Sequence, residues 1–214
     1  MENEELDIHH IGSSVETPIR SDAFELSDEE KIDKIADHFK EIMITLGLDL
    51  NDDSLSQTPK RVAKMYVSEL FSGLNPKNNP TTTLFQNKYG YNQMLVEKDI
   101  SVYSVCEHHF VPIFGKCHVA YIANGEVIGL SKIHRIVKFY SKRPQVQERL
   151  TRQIAEALKK TLNTENVAVV IDARHMCVES RGVEDNTSST VTAAISGEFQ
   201  KEATRLEFLR YIGI

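Results

Sequence analysis

The apolar positions in the first third of the chain predict two helices. Ser27 and Glu30 form a capping-box pattern at the start of the first helix, and Gly47 stands where a left-handed residue would end it. The residues between them that form an apolar stripe at helical spacing are Ile32, Ile35, Ala36, Phe39, Ile42, Met43 and Leu46. A second helix is predicted from Thr58-Pro59, with proline at the first helical position, to the residues before Gly73.

After a stretch rich in Asn, Pro and Thr, the period of the apolar positions shifts towards two. Strands are predicted over 94–105 and 115–123, joined by a loop that contains residues 106–112. The later predicted elements are helices over 131–142 and 144–162, strands near 167–174 and 190–196, and a charged C-terminal helix. This order predicts an α+β fold in which paired strands sandwich a helical pair.

The chain divides into three regions by composition. Residues 1–25 are polar and have no sustained period, so we interpret them as a flexible N-terminal arm, or as an oligomer-contact segment that orders on assembly. Residues 26–84 form an N-terminal helical region, and residues 85–214 form the main domain, which carries the candidate chemistry.

Charge and cysteine content narrow the class of protein. The net charge of −6 argues against a nucleic-acid binder that relies on bulk attraction to phosphates. No apolar run approaches the length of a membrane span, and the N-terminus is acidic where a secretory signal would be basic. We therefore expect a cytoplasmic protein that binds neither nucleic acid nor membrane. Three cysteines make an odd number, and disulfides are rare in the cytosol, so the thiols are available for other chemistry.

Two short segments carry metal-binding residue types, Cys106-Glu107-His108-His109 and His175-Met176-Cys177. Two thiolates and one imidazole suit a catalytic zinc ion, which keeps a fourth position open for water. On a strand His175 and Cys177 would share a face, whereas Cys106 and His109 share one only in a turn or helix. The pattern leaves open which histidine is the ligand, and the spare histidines could carry protons.

Two other readings of these residues remain. The thiols could be buried and the histidines satisfied polar residues, or Cys117 could complete a purely structural zinc site. We interpret Cys117 as packing within its strand, and His118 as structural.

The segment from Gly129 opens a predicted helix that resembles an anion site. Ser131 at the N-cap marks the end of the helix where free backbone N–H groups favour anions, and Lys132 and Arg135 share the polar face. Such a pattern is common and therefore weak by itself. Lys64 and Arg181 could add positive charge. Glu148, in the first turn of the next predicted helix, could accept two hydrogen bonds from a guanine edge if it faces a pocket.

Several separate motifs, in the same order, resemble those of the GTP cyclohydrolase I family. They are Cys106-Glu107-His108-His109-Phe110, Gly129-Leu130-Ser131-Lys132, the stretch 143–151 and His175-Met176-Cys177. The stretch 58–66 and Glu207-Phe208-Leu209 are similar too. The likeness runs from about Leu26 to the C-terminus, and the first 25 residues have no clear counterpart.

This resemblance implies a tunnelling fold with an antiparallel β-β-α-α-β-β core and an N-terminal helical extension. Subunits of that fold join their sheets into an oligomeric barrel, here a homodecamer with active sites between subunits. By matching position, the resemblance implies one zinc ion per subunit at Cys106, His109 and Cys177, with His108 and His175 transferring protons. It also implies that Glu148 holds guanine with Gln147 beside it, and that the triphosphate and sugar are surrounded by Lys64, Ser131, Lys132, Arg135 and Arg181.

The implied reaction opens the imidazole ring of GTP, releases formate and forms 7,8-dihydroneopterin triphosphate, the first step of tetrahydrofolate and pterin biosynthesis. Zinc would lower the pKa of its bound water towards about 7, so that hydroxide attacks C8 of the purine. A rival enzyme on the same fold reduces a nitrile-bearing deazaguanine through a cysteine nucleophile without zinc, but two cysteines with the His-x-Cys segment do not fit it. A rival of another class is a non-catalytic, zinc-stabilised GTP-binding or assembly module.

Overall fold

The structure is a computed structural model that describes residues 16–81 and 83–214. The first helix, α1 (Asp28–Thr45), begins at the predicted capping box, in which the Ser27 side chain accepts from the Glu30 N–H and the Ser27 N–H donates to the Glu30 carboxylate at 2.8 Å. Such a cap contributes about 0.5–2 kcal/mol to helix stability. Gly47 follows the helix with φ +83°, as the sequence predicts.

The second predicted helix consists of two parts. α2 (Thr58–Met65) continues into a π-helical turn, Tyr66–Leu70, and two 3₁₀ turns follow at Ser72–Leu74 and Pro76–Asn78. Gly73 lies against the end of the later helix α3 (Leu130–Ser141), where an added Cβ would stand 2.0 Å from the Phe139 carbonyl oxygen. Its N–H donates to the Lys142 carbonyl at 2.8 Å. Only glycine permits this approach, which fixes the helical region on the main domain.

The main domain is built on a five-stranded sheet of order β5-β2-β3-β6-β7. Its strands are β2 (Met94–Cys106), β3 (Pro112–Ile122), β5 (Pro144–Gln145), β6 (Val167–His175) and β7 (Thr190–Ile195). All neighbours are antiparallel except β5, which runs parallel to β2. A separate two-stranded sheet pairs β1 (Leu84–Gln86) with β4 (Glu126–Ile128). The sequence pattern predicts the four long strands and misses the three short ones, since strands this short show no periodicity.

Helices cover both faces of this sheet. The larger core cluster joins α3 and α4 (Gln147–Leu162) to one face, and a smaller cluster with Phe199 and the C-terminal helix α6 (Glu202–Ile212) covers the other. β6 is buried from Val167 to Ile171 because side chains on both of its faces enter these clusters. The α+β class is therefore confirmed. None of the helices within residues 16–81 and 83–214 combines the length and the hydropathy that a membrane span requires.

Two predicted helix starts are wrong. α3 begins at Leu130 with Gly129 as its N-cap, so Ser131 lies inside the first turn and makes no capping hydrogen bond. α4 begins at Gln147 and not at residue 144, because Pro144 and Gln145 pair with the end of β2. Residues 1–15 of the predicted arm lie outside the described residues. Within the rest of that arm, Thr17 accepts hydrogen bonds from Arg143 at 3.2 Å and from Gln153 at 3.1 Å.

Candidate metal centre

The strand order brings the candidate ligands to one end of the large sheet. β3 lies between β2 and β6 and is antiparallel to both, so the last residues of β2 and β6 flank its first residues. Ile113, at the start of β3, pairs with Ser104 on one side and with His175 on the other. Two segments that are far apart in sequence therefore meet where their strands end.

The first segment is a tight turn at the end of β2. The Phe110 N–H donates to the Cys106 carbonyl at 2.9 Å, and the Cys106 N–H donates to the Val111 carbonyl at 2.8 Å. Phe110 takes φ +56°, which lets the chain reverse into β3. This turn places Cys106 and His109 on the same side, as the sequence predicts for residues three apart.

The second segment differs from its prediction. β6 ends at His175, and Cys177 lies in a single helical turn, α5 (Met176–Glu179), so the expected continuous strand through both residues is wrong. The chain leaves the sheet here because β3, the partner of β6, begins at Pro112 and its pairing ends at Ile113–His175. Cys177 reaches the first segment from this turn.

Cys106, His109 and Cys177 converge. Their ligand atoms all lie within 4.8 Å of one another, and in the described part of the chain no other group of three His, Cys, Asp or Glu residues does so. Cys106 Sγ lies 3.9 Å from Nδ1 of His109 and also 3.9 Å from Nδ1 of His108. Neighbouring donors around a tetrahedral zinc ion lie about 3.5 Å apart, so small movements would close the three around one ion. The site can hold a metal ion.

The electrostatic interaction between Cys177 and Cys106 is consistent with metal binding at this site. The pKa of the Cys177 thiol is raised, first by burial and then by the charge and hydrogen bond of Cys106 beside it, while Arg181 opposes the shift. Two thiolates this close repel each other unless a cation lies between them. Arg181 is exposed, and its electrostatic contact places it beside this segment.

His175 is held by Gln147, the first residue of α4. Gln147 is only 2% exposed, and its Nε2 donates to the carbonyls of Ile171 at 3.1 Å and Thr190 at 2.7 Å. Carbonyls only accept, so the amide orientation is fixed and Oε1 faces His175 Nε2 at 2.7 Å. Gln147 directly precedes Glu148 in the first turn of α4, and its own amide is hydrogen-bonded within the chain.

The environment of His175 sets its charge. Burial lowers the pKa of His175, and Glu148 raises it by a smaller amount. Glu148 is exposed next to it, in the first turn of α4. His175 and Glu148 therefore lie near enough to interact, and burial favours the neutral form of the imidazole.

Glu107 and Arg149, to which the sequence pattern assigns no role, form an ion pair next to these residues. Arg149 Nη1 lies 2.5 Å from Glu107 Oε2, and Nη2 lies 3.3 Å from Oε1. Both residues belong to matching motifs, Glu107 between Cys106 and His108 and Arg149 directly after Glu148. Their burial, which the sequence does not reveal, distinguishes this pair from an exposed surface ion pair.

The predicted phosphate residues lie elsewhere on the chain. Ser131, Lys132 and Arg135 occupy the start of α3, and Arg135 lines a cavity of about 380 Å³ with Lys138 and Lys142. Lys64 is exposed on α2. Tyr66, at the end of that helix, stacks edge-on with Phe110 at a centroid distance of 6.4 Å. The helical region thus borders the turn that carries Cys106 and His109.

Comparison with known proteins gives a consistent result over nearly the whole chain. The sequence profile described as GTP cyclohydrolase I matches residues 35–213. A GTP cyclohydrolase 1 from Flavobacterium johnsoniae is 56% identical over 98% of this chain and 94% of its own length. One from Vibrio parahaemolyticus is 56% identical over 91% and 89% of the two chains, and one from Erwinia tasmaniensis is 53% identical over 94% and 92%.

A solved structure is matched more distantly. It is the apo form of an archaeosine synthase QueF-Like, with 21% identity and a TM-score of 0.42 over 49% of this chain and 94% of that chain. A likeness this weak carries no functional meaning, whereas the sequence matches span almost the full length. The chain belongs to the GTP cyclohydrolase I family.

Proposed function

We propose that this protein is a GTP cyclohydrolase that opens the imidazole ring of guanine in GTP, releases formate and forms 7,8-dihydroneopterin triphosphate. The observation that carries the proposal is the convergence of two cysteines and one histidine from distant segments. Membership of the GTP cyclohydrolase I family supplies the substrate and the reaction. The chemistry of each residue can then be considered in turn.

Cys106, His109 and Cys177 would hold one zinc ion per subunit. Two sulfur donors and one nitrogen donor fit zinc, and three protein ligands leave a fourth position open, as in catalytic zinc sites. The chemistry that zinc supplies when bound is a water molecule whose pKa falls towards about 7. His109 is preferred over His108 because its ligand atom lies near both cysteines, whereas the 3.9 Å contact of His108 is with Cys106.

His175 would transfer a proton at Nδ1. Since Gln147 Oε1 can only accept, His175 Nε2 must carry the hydrogen of that bond. In the neutral ring the lone pair then lies on Nδ1, which can take a proton and later return it to a purine nitrogen. Gln147 would act as a positioning residue that fixes this tautomer, next to Glu148, which would hold the guanine.

His108 would be the second proton carrier. Its side chain is half exposed, its Nδ1 lies 3.9 Å from Cys106 Sγ, and its Nε2 lies 4.0 Å from Glu107 Oε1. An exposed imidazole beside a candidate zinc ligand is placed to exchange protons with a bound substrate. His108 and His175 would thus be the two proton carriers of the site.

Glu148 would recognise guanine. Its carboxylate is exposed beside His175 and can accept two hydrogen bonds from the N1–H and 2-amino groups of the base. Adenine lacks this pair of donors, so the carboxylate, once covered by the base, would be left unpaired at a cost of about 1–3 kcal/mol. The base would therefore be bound with its imidazole ring towards the metal centre.

The triphosphate and sugar would be bound by Ser131, Lys132, Arg135, Arg181 and Lys64. Three of these lie at the start of α3, where free N–H groups and side-chain cations favour phosphate even though Ser131 does not cap the helix. We further propose a tunnelling-fold homodecamer with active sites between subunits. Such an assembly would let groups that lie apart in one chain face each other across an interface.

The direct test is to incubate the purified protein with GTP and measure formate together with the fluorescent neopterin obtained after oxidation. We expect both products in equal amounts, and no turnover of ATP. Formation of neither product by zinc-loaded protein would refute the proposed activity, and would leave a GTP-binding or assembly role.

A further inference from the structure

The ion pair between Glu107 and Arg149 adjoins the candidate metal ligands, because Glu107 directly follows Cys106 in the chain. The Arg149 side chain is 6% exposed and that of Glu107 is 22% exposed, so the pair is largely removed from water. We propose that Arg149 is a positioning residue that, through Glu107, holds the Cys106–His109 turn in its metal-binding geometry. This inference rests on the metal site of the proposed function.

Glu107 is placed to control both ligands of the turn. It follows Cys106 and precedes the two histidines, so a shift of its backbone would move the ligands on both sides of it. Its N–H donates to the Gln145 carbonyl at 3.0 Å, and its carboxylate is bound by Arg149. The turn is thus held at backbone and side chain by one short segment, residues 145–149.

The geometry of the pair fixes orientation as well as distance. Two Arg149 nitrogens contact the two Glu107 oxygens, at 2.5 Å and 3.3 Å, in a bidentate arrangement. A guanidinium holds a carboxylate plane in this way, whereas an ammonium group acts as a point charge and leaves the plane free to turn. Lysine at this position would therefore keep the charge and lose the orientation.

The pair is better explained by geometry than by stability. Among the described residues, Arg149 Nε is buried and has no hydrogen-bond partner, although the rest of the guanidinium is engaged. Buried ion pairs are often no more stabilising than apolar residues of similar size, because both charges lose their hydration. A pair kept under these conditions, next to metal ligands, serves their placement.

The same helical turn holds the other half of the centre. Gln147 binds His175 at the end of β6, and Arg149 binds Glu107 at the end of β2, while Glu148 between them faces solvent. The start of α4 thus joins two strand ends that carry metal ligands or their neighbours. Loss of the Arg149 contact should disturb the Cys106–His109 side and leave the Gln147–His175 contact intact.

The test compares metal affinity and ligand geometry in Arg149→Lys, Arg149→Met and Glu107→Gln. Metal-free full-length protein is titrated with cobalt(II), whose thiolate absorption bands report ligand geometry, and zinc affinity is measured by chelator competition. Loss of residues that orient metal ligands typically costs about 10–100-fold in affinity. We expect a loss in that range for Arg149→Met and Glu107→Gln, and a shifted cobalt spectrum with a smaller loss for Arg149→Lys.

The control is Lys201→Met, which breaks an exposed ion pair to Glu198 in the segment before α6. It should leave cobalt spectrum and zinc affinity unchanged. Wild-type affinity and spectrum in Arg149→Lys and Arg149→Met, even with a lowered Tm, would overturn the positioning role. If Arg149→Met does not fold, Arg149→Lys decides. Failure of the wild-type protein to bind either metal would instead refute the metal site itself.

Discussion

Two places on the same sheet carry neighbouring cysteine and histidine residues, and they differ in every other respect. In the middle of β3, Cys117 is fully buried, and burial alone raises the pKa of its thiol. His118 beside it is 5% exposed, and its Nδ1 accepts the Asp99 N–H at 3.2 Å. At the end of the sheet, Cys106, His109 and Cys177 face one another and His109 is open to solvent.

The difference shows that residue type does not make a metal site. Cys117 meets apolar neighbours, so deprotonating it would bury an uncompensated charge, which is costly. At the strand ends, the sulfur of each cysteine lies near another potential ligand. Without a metal ion, deprotonating both thiols would bring two negative charges together, whereas a bound cation would stabilise the two thiolates. The candidate site therefore differs from the core in two ways: its donor atoms converge, and solvent can reach them.

The strongest test of this comparison is to substitute one cysteine at the strand ends and one in the middle of β3. Cys177→Ser should lower formate release from GTP by at least about 10³-fold, because the activated water depends on zinc, whose effect on water pKa spans about 9 units. The variant should keep its fold, since Cys177 lies in a partly exposed turn outside the sheet. Zinc content and turnover, measured on the same sample, check the result.

The matched control is Cys117→Ala in the core of β3. It should retain zinc and turnover and lose some stability, because a buried sulfur leaves a small cavity. Full turnover in a zinc-free Cys177→Ser protein would contradict the assignment of Cys177 as a metal ligand. Loss of zinc in Cys117→Ala with an intact fold would contradict the assignment of Cys117 to the core.

A smaller effect is expected from the residue that orients His175. Gln147→Leu removes the acceptor that keeps hydrogen on Nε2, so we expect kcat to fall about 10–100-fold, less than the 10²–10⁴-fold typical of losing an acid–base group altogether. KM for GTP should change little. Side-chain ¹⁵N shifts of His175 should show a mixture of tautomers in place of one.

Gln153→Leu is the control for that substitution, because Gln153 is a buried glutamine of the same helix that contacts Gln145 and Thr17. It should leave the His175 tautomer unchanged. A single Nε2–H tautomer in Gln147→Leu would show that another group orients the ring.

The proposed phosphate-binding residues on α3 should affect GTP binding and not metal binding. Lys132→Ala is expected to weaken GTP binding about 10-fold, the size of one charged hydrogen bond, and to leave guanosine binding nearly unchanged. Lys138→Ala, on the same helix, is the control and should have little effect. Equal losses for GTP and guanosine in Lys132→Ala would remove Lys132 from the phosphate site.

The mildest test concerns the structural histidine of β3. Burial lowers the pKa of His118, with Asp99 and Asp172 opposing the shift and Lys116 and Lys98 adding to it. The unfolded chain therefore binds a proton near the ordinary pKa of about 6.5 while the folded one does not, so stability is lost as the pH falls below that value.

His118→Asn keeps an acceptor for the Asp99 N–H and cannot titrate in this range. We expect denaturant unfolding to show a flatter loss of stability between about pH 7 and pH 5 in this variant than in the wild type. An unchanged slope would mean that His118 does not contribute to the pH dependence.

The sequence predicts the long elements well, because each carries a strong local signal. The capping box of α1 and the apolar stripes of α3 and α4 depend on neighbours within a few residues, and the structure contains them. The short strand β5 depends instead on pairing with β2, a partner distant in sequence. The end of β6 depends on where β3 begins, which is why the strand expected at Cys177 is a helical turn.

Some features of the candidate site are likewise predictable from the sequence and others are not. The metal-binding residue types were evident from the sequence, and their convergence follows from the strand order. The contacts of Gln147 and Arg149 are not predictable from the sequence, because both are polar residues at the start of a helix, where side chains ordinarily face solvent. Only the packing of α4 against the strand ends buries them and turns them towards His175 and Glu107.

The central claim is tested most directly by titrating metal-free protein with zinc while measuring formate release from GTP. The account predicts that activity rises with added zinc and stops rising at one zinc ion per chain. Full activity in protein stripped of zinc, or zinc binding at that stoichiometry in a Cys106→Ser, Cys177→Ser double variant, would contradict it.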